Sequence, residues 1–362
     1  MSKWTLPRSM PAAMAGLLLT AVGASVLLVQ PYEAAAQELP RNVRLVIGSS
    51  STGGDTYQSA AIVADALSKQ LGINIKVDAV GPTEAFKAVS RDRRGTTLMI
   101  HHDQSYLGHL YGQRGYEDIF ANYKIGPTVA VNPGNAYLVP KDSSYKTMED
   151  ILDAAKSGER VRVAIQPGGV SEIGFSAMRN AARLRAPGSE KNLVPVNTGS
   201  QSDKDQALFD NLADVINGSI QSNEQYTQLP ESDQKAMRFV WITAEPETLN
   251  QAPEQGMGAL TREEMLKYAA PEVSVPLNEE GENFTFDKEF FFIFNKDVDP
   301  AIVKQIDTAL SEIYAKGEIQ ERQKEVFLTP EFRTAEEASA HLQKKSDTYA
   351  KMIEQIGAAP NN

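Results

Sequence analysis

Cysteine is absent from all 362 residues. That excludes disulfide frameworks, Cys-ligated zinc, iron–sulfur clusters and cysteine nucleophiles. Histidine is scarce, at four, and without H-E-x-x-H or another ligand spacing no metal site is expected. No Lys/Arg-rich stripe occurs, and 36 Lys+Arg against 47 Asp+Glu leave a net charge of −11. Nucleic acid is therefore not an expected partner, because neutralising phosphates needs a basic face. A small anionic ligand stays possible, since its binding depends on the local field and not on net charge. After residue 36 no stretch is apolar enough to span a bilayer. With 41% hydrophobic residues, what remains is a soluble, acidic chain of about two domains.

The chain opens on a leader. Lys3 and Arg8 form a positive start, Met10 to Val29 is an uncharged Ala/Leu/Val-rich run, and Ala34-Ala35-Ala36 before Gln37 reads as an A-x-A cleavage site. The pattern predicts a signal peptide over 1-36, cleaved near Ala36. A membrane anchor is the rival reading, since an apolar run of about 18 residues reaches the lower limit for a spanning helix. No Cys follows to carry a lipid. Without the leader the chain has 326 residues and a net charge of −12.

From Arg41 onward short β-rich runs alternate with amphipathic helices. Val43-Leu45-Ile47 alternates as a strand does, a Gly/Ser loop follows, and Ala60, Val63, Leu67 and Leu71 mark one helix face ended by Gly72. Ile73 to Val77 and Thr97 to Ile100 are further strands, the second running into His101-His102-Asp103-Gln104. This order predicts an α/β fold with parallel sheets and right-handed crossovers. A second α/β unit begins near Val131, with strands at Ala136 to Val139, Val161 to Ile165, Val194 to Val196, Asp214 to Ile216 and Phe239 to Ile242. The Pro/Glu/Gly-rich stretch Glu245 to Glu282 suggests surface loops and short helices. Phe290 to Phe294 is a buried strand, Asp299-Pro300 starts a helix, and Glu336 to Ile356 forms the last one.

Three loops carry the candidate chemistry. Ser49, Ser50, Ser51, Thr52, Gly53, Gly54 and Asp55 leave the first strand and open a helix, offering backbone N–H groups and hydroxyls at the positive end of a helix dipole. Gly54 stands where a P-loop lysine belongs, and G-x-G-x-x-G is missing, so a nucleotide site is not expected. The loop suits a carboxylate or is an ordinary β-α connection. Gln166, Gly168, Gly169, Val170, Ser171 and Glu172 repeat the design at another helix start, as do Thr198, Gly199 and Ser200. Three such loops at strand carboxyl ends make a plausible cleft for an anion. His101 and His102 end a strand at the same edge. Adjacent residues of an extended segment point to opposite sides, so one of the two is expected to line the cleft as a donor titrating near neutral pH, with two surface histidines as the alternative. No G-x-S-x-G occurs, and Asp55 and Glu172 suit helix N-termini or ligand contact better than a catalytic pair. No enzyme and no cofactor is expected.

The stretch Val43 to Leu71, then Asp142 to Ile151, the Gly168-Gly169 loop, Val194 to Ser200 and Phe292 to Ile313, in that order and spacing, resembles the substrate-binding receptors of tripartite tricarboxylate transporters, the TctC or Bug family. The resemblance covers about residues 41–356. It implies a type II periplasmic binding fold: two α/β domains with a ligand cleft between them. The expected division is 37-130 plus about 243-362 for domain 1 and 131-242 for domain 2. It further implies a monomeric periplasmic receptor that holds a small organic carboxylate through backbone amides of Ser49 to Asp55 and Gly168 to Glu172, closes over it, and delivers it to a multispanning membrane permease. Three departures stand out: Tyr57 where the family commonly has Asp, His101-His102 in place of small residues, and Gly174 near the place of a family His. The first loop also resembles the TAXI-type receptors of TRAP transporters, and a sensor presenting ligand to a membrane signalling protein would share the same binding chemistry.

Overall fold

Residues 38–360 are described by a computed structural model of the chain. The predicted leader 1-36, Gln37 and the last two residues lie outside the described residues. In chain order β1 (Asn42–Ile47), α1 (Asp55–Leu71), β2 (Asn74–Ala79), α2 (Pro82–Arg91), β3 (Thr97–His102), α3 (Gln104–Leu110), the single turn α4 (Ile119–Asn122) and β4 (Tyr123–Asn132) come first. Next follow β5 (Ala136–Pro140), α5 (Met148–Ser157), β6 (Val161–Ile165), α6 (Ile173–Arg185), β7 (Leu193–Asn197), α7 (Gln201–Phe209), β8 (Val215–Gly218), α8 (Ile220–Thr227) and β9 (Met237–Ile242). Helices α9 (Pro246–Gln251) and α10 (Arg262–Leu266) precede β10 (Lys288–Asn295), α11 (Pro300–Lys316), α12 (Glu318–Glu325) and α13 (Ala335–Gln355).

The strands form two five-stranded sheets, ordered β2-β1-β3-β10-β4 and β7-β6-β8-β5-β9. Strands β1, β2 and β3 run parallel, as do β6, β7 and β8, while β10 and β5 run antiparallel to their neighbours. This is a mixed α/β fold with one sheet in each of two lobes. The carboxyl ends of β1, β2, β3 and β4 fall at one end of the first sheet, since His102 pairs with Phe290 and Asn132 with Lys288. Loops leaving the two sheets are thereby gathered where the chain crosses between lobes.

Period-two patterning gives each sheet two apolar faces, as a sheet covered on both sides requires. Leu45, Ile100, Phe290, Phe292 and Phe294 pack with Ala60, Val63 and Leu67 of α1 and Ile302, Ile306 and Leu310 of α11. On the other face Val46, Met99, Phe291 and Ile293 join a cluster that includes Phe86 of α2 and Leu342, Tyr349 and Ile353 of α13. That cluster continues into the second lobe through Phe284, Phe286, Trp241 and Tyr137 to Ile151, Phe175 and Met178. Local signals place the helices. Gly72 closes α1 at φ 65°, Asp299 caps α11 with Pro300 at its first position, and capping boxes at Thr147/Asp150 and Thr334/Glu337 start α5 and α13.

Two features differ from the sequence expectation. Strand β4 was not expected, because Gly126-Pro127 interrupts its pattern. It tolerates them as the terminal strand of its sheet, with a register irregularity opposite Phe291 and Ile293. The return to the first lobe, expected at about 243, comes near β10. Leu249 of α9, Met265 of α10, and Ala252, Met257 and Ala269 from the turns around these helices instead cover the second sheet beside Leu138, Ile216 and Phe239. Thr243 fastens the two crossings together: its N–H and Oγ1 meet Asn135 O and N–H at 2.9 and 2.8 Å, and its O and Oγ1 meet Phe286 N–H and O at 2.7 and 2.9 Å.

Beside these crossings lies a buried ion cluster. Lys345 of α13 reaches Asp103 Oδ1 at 2.7 Å and Glu289 Oε1 at 2.6 Å, Arg333 meets Glu289 Oε2 at 2.6 Å, and His341 Nε2 meets Glu289 Oε1 at 2.9 Å. Asp103 Oδ2 also accepts from Glu289 N–H at 2.6 Å, and Oδ1 from the Tyr106 hydroxyl at 2.5 Å. Burial opposes charge on Glu289, but Lys345, His341 and Arg333 outweigh it and hold the carboxyl below its usual range. The same two carboxylates lift Lys345 well above an ordinary lysine despite its burial. Removing one member of such a cluster leaves the others charged, buried and unpaired. Lys345→Met is therefore expected to destabilise the fold by about 3–5 kcal/mol in urea unfolding; a loss below about 1 kcal/mol would mean that Asp103 is satisfied by Tyr106 and the Glu289 amide without its lysine.

Candidate functional site

The first loop, Gly48 to Gly54, is exposed over Ser50, Ser51, Thr52 and Gly53. Two of its hydroxyls are turned on the loop itself: Ser49 Oγ accepts from Ser51 N–H at 3.1 Å, and Ser51 Oγ from Gly53 N–H at 3.3 Å. No side chain caps the N-terminus of α1. Asp55, expected at the ligand, is engaged. It pairs with Lys288 and accepts from Asn132 Nδ2 at 2.9 Å. Burial alone would raise its pKa, but Lys288 and Asn132 bring it below the ordinary value.

His101 lies under this loop. It is 1% exposed, and its ring sits so close to Gly48 that a Cβ there would stand 2.4 Å from ring atoms. Phe86 at 6.2 Å, the stacked Tyr116 at 6.4 Å and His102 at 4.7 Å surround the ring, and neither of its nitrogens has a hydrogen-bond partner. The two histidines thus do not point apart as an extended strand would have them. The strand ends at His102, Asp103 already has helical angles (φ −47°, ψ −25°), and His102 Nδ1 accepts from Gln104 N–H at 3.2 Å. Nor does either titrate near neutral pH. Burial, followed by the charge of Lys288, pushes His101 down to about 3. Burial, His101 and Lys288 push His102 well below its ordinary value.

In the second lobe the loops converge on one network. Gln166 Nε2 donates to Gly199 O at 2.8 Å, joining the loop after β6 to the loop after β7, where Thr198 N–H and Oγ1 both donate to Ile165 O at 2.9 Å. Ser200 caps α7 by accepting from Asp203 N–H at 3.2 Å. Ser171 Oγ accepts from Gln166 N–H at 3.0 Å and donates to Asn217 Oδ1 at 2.8 Å. Glu172 accepts from Gly168 N–H at 2.6 Å, a bond made within its own loop; burial nonetheless raises its pKa. Asp55 and Glu172 therefore belong to different lobes and different networks. Beneath Ser171 lies a cation that the sequence did not single out. Lys204 is 2% exposed, donates to Asn217 Oδ1 at 2.9 Å and Ser171 Oγ at 3.4 Å, and is brought down to about 8 by burial.

The lobes meet across this mouth. Gln104 Nε2 donates to Gly168 O at 2.8 Å, Val170 N–H donates to Gln104 Oε1 at 3.1 Å, Gln113 covers Gly168, and the Tyr111 hydroxyl lies 2.8 Å from Ser176 Oγ. A cavity of about 380 Å³ lies elsewhere, lined by Glu245, Asp287, Glu289, Arg333, His341 and Lys345, and none of the three loops contributes to it. Among the described residues no group of three or more His, Asp or Glu is placed to hold a metal ion.

No family model and no curated protein matches the chain. Solved structures do. A TctC solute binding protein from Polaromonas superposes with a TM-score of 0.62 at 15% identity, over 87% of this chain and 98% of that one. The chain has the two-lobed α/β fold of TctC solute binding proteins. An R. palustris protein solved with adipate (TM-score 0.63, 15% identity, 90% and 100% covered) and MatC from Rhodopseudomonas palustris with bound malate (0.57, 16%, 88% and 99%) share the TctC-type fold.

Within that TctC-type frame the residues missed by sequence reasoning are Lys204, Lys288, Asn132, Gln104 and Asn217. A lysine inside a polar helix gives no hint of burial, and neither Asn132 nor Lys288 lies near Asp55 in the chain. The histidines also set a pH dependence. A folded pKa below the unfolded value of about 6.5 means that the unfolded chain binds more protons, so stability is complete above pH 6.5 and falls as pH drops toward the folded value. Each proton excluded contributes a slope of about 1.4 kcal/mol per pH unit. His101→Phe, which also removes two unpartnered nitrogens, should match the parent in urea unfolding at pH 7.5 and lose less at pH 5; parallel pH profiles would refute the assignment.

Proposed function

We propose that the protein is a periplasmic solute-binding receptor of the TctC/Bug family, exported by its leader, that captures a small organic carboxylate and delivers it to a multispanning permease of the tripartite tricarboxylate type. The carrying observation is the first loop: an exposed run of Ser, Thr and Gly over a helix N-terminus that no side chain caps. Oriented amides there hold negative charge without a counter-cation. The second lobe supports the reading with Lys204, a buried cation whose hydrogen-bond partners are neutral groups. Adipate and malate in proteins of the same fold fit this ligand class.

The protein's own charge of −12 without the leader cannot draw an anion by net field, so affinity must arise locally. Binding without turnover is the expected activity: Asp55, bonded to Lys288 and Asn132, and Glu172, bonded to Gly168, belong to different lobes and form no acid–base pair. A panel of mono-, di- and tricarboxylates should raise the melting temperature with at least one member, and native mass spectrometry should recover that ligand unchanged. Lys204→Met should weaken it about tenfold, roughly 1.4 kcal/mol, with the fold intact by circular dichroism. Silence across the panel from protein shown by mass to carry nothing would overturn the carboxylate assignment.

A further inference from the structure

The amides of the second-lobe loop are largely spoken for. Gly168 N–H is held by Glu172, Gln166 N–H by Ser171 Oγ, and Glu172 and Ile173 N–H by Gly169 O. What the loop presents to Gln104 is one donor, Val170 N–H, and one acceptor, Gly168 O. A carboxylate has only acceptors, so one of its oxygens would meet the Gly168 carbonyl lone pairs; a carboxamide supplies one of each. The structure holds a carboxamide at this place, that of Gln104, and only one orientation of that side chain satisfies both contacts. It is fitted closely. A Cβ on Gly169 would stand 1.8 Å from Gln104, and Gly168 has φ 84° with Gln113 against it, so only glycines leave the space.

We infer that the Gly168–Val170 cradle is a subsite for a primary carboxamide or another donor–acceptor end group, such as a ureide, and that Gln104 occupies it as an internal stand-in which a ligand displaces. This rests on the receptor function proposed above and names the chemistry at one end of its ligand. A second observation lies beside it: Tyr116 stacks on His101, which is buried with both ring nitrogens unpartnered. The first loop holds a carboxylate and the second a carboxamide, so the ligand class is a short acid amide and not a symmetrical diacid.

Two measurements on the full mature chain test this. In the first, exchange of the Val170 amide is followed without added ligand. Gln104→Ala should speed it. Gln104→Glu should speed it at pH 7.5 and restore protection at low pH after correction for intrinsic rates, because only the protonated acid can donate to Gly168 O. The contact thus favours the protonated form, raises its pKa, and is lost as pH rises. Equal protection in Gln104→Glu and the parent at pH 7.5 would overturn the inference. In the second, calorimetry compares succinamate with succinate. Gln104→Ala should bind succinamate at least about tenfold more tightly than the parent does, since the competing occupant is gone, and more tightly than it binds succinate; a preference for succinate would overturn the inference. If neither compound binds, the receptor reading suffers, while Val170 exchange still decides the chemistry of the cradle.

Discussion

Asp103 is the residue on which the arrangement turns. It follows the last residue of β3 and is fully buried, and its two oxygens receive Lys345, Tyr106 and the Glu289 amide. One carboxylate thereby fixes the end of β3 to β10 and to the C-terminal helix. Gln104 comes next in the chain, so its reach across the mouth is set by an ion cluster and not by loop geometry. A buried ion cluster is weak evidence for stability as such, because desolvation offsets most of the attraction. Its value here is positional: alternatives that move Asp103 leave charges unpaired in the interior.

The two lobes answer the same problem differently. Both place Gly/Ser loops at helix starts, yet the first leaves its loop open to solvent and the second consumes its loop in internal bonds and covers it with glutamines. Charge follows the same division. The first lobe spends Lys288 on Asp55 and keeps His101 and His102 neutral, whereas the second gives Lys204 neutral hydrogen-bond partners. The asymmetry means that opposite ends of one ligand would meet unlike surroundings.

Much of the fold was legible because period and punctuation agree. Leu45 and Phe292 alternate as strand residues must, and Gly72, Asp299-Pro300 and the Thr334/Glu337 box mark helix ends by local chemistry. Strand β4 escaped because Gly126-Pro127 argues against a strand unless its place at the sheet edge is known. The loops could be named as helix starts, but not what their amides bond to: Gln104 lies 64 and 66 residues from its partners Gly168 and Val170. Likewise the depressed histidines depend on burial by Phe86 and Tyr116, which no local pattern at His101-His102 encodes.

The aromatic path between the lobes has a practical side. Tyr137 and Trp241 lie 4.9 Å apart, Trp241 and Phe284 5.8 Å, and Phe284 and Tyr349 5.6 Å, so the path runs from the second sheet to the C-terminal helix. Trp241 is the only tryptophan in residues 38–360. It sits one residue before the end of β9, two before Thr243, and pairs across the sheet with Tyr137 of β5. Residues 38–360 thus carry their own optical gauge: emission from a single indole, quenched or shifted by its ring neighbours, reports the packing along this path without a dye.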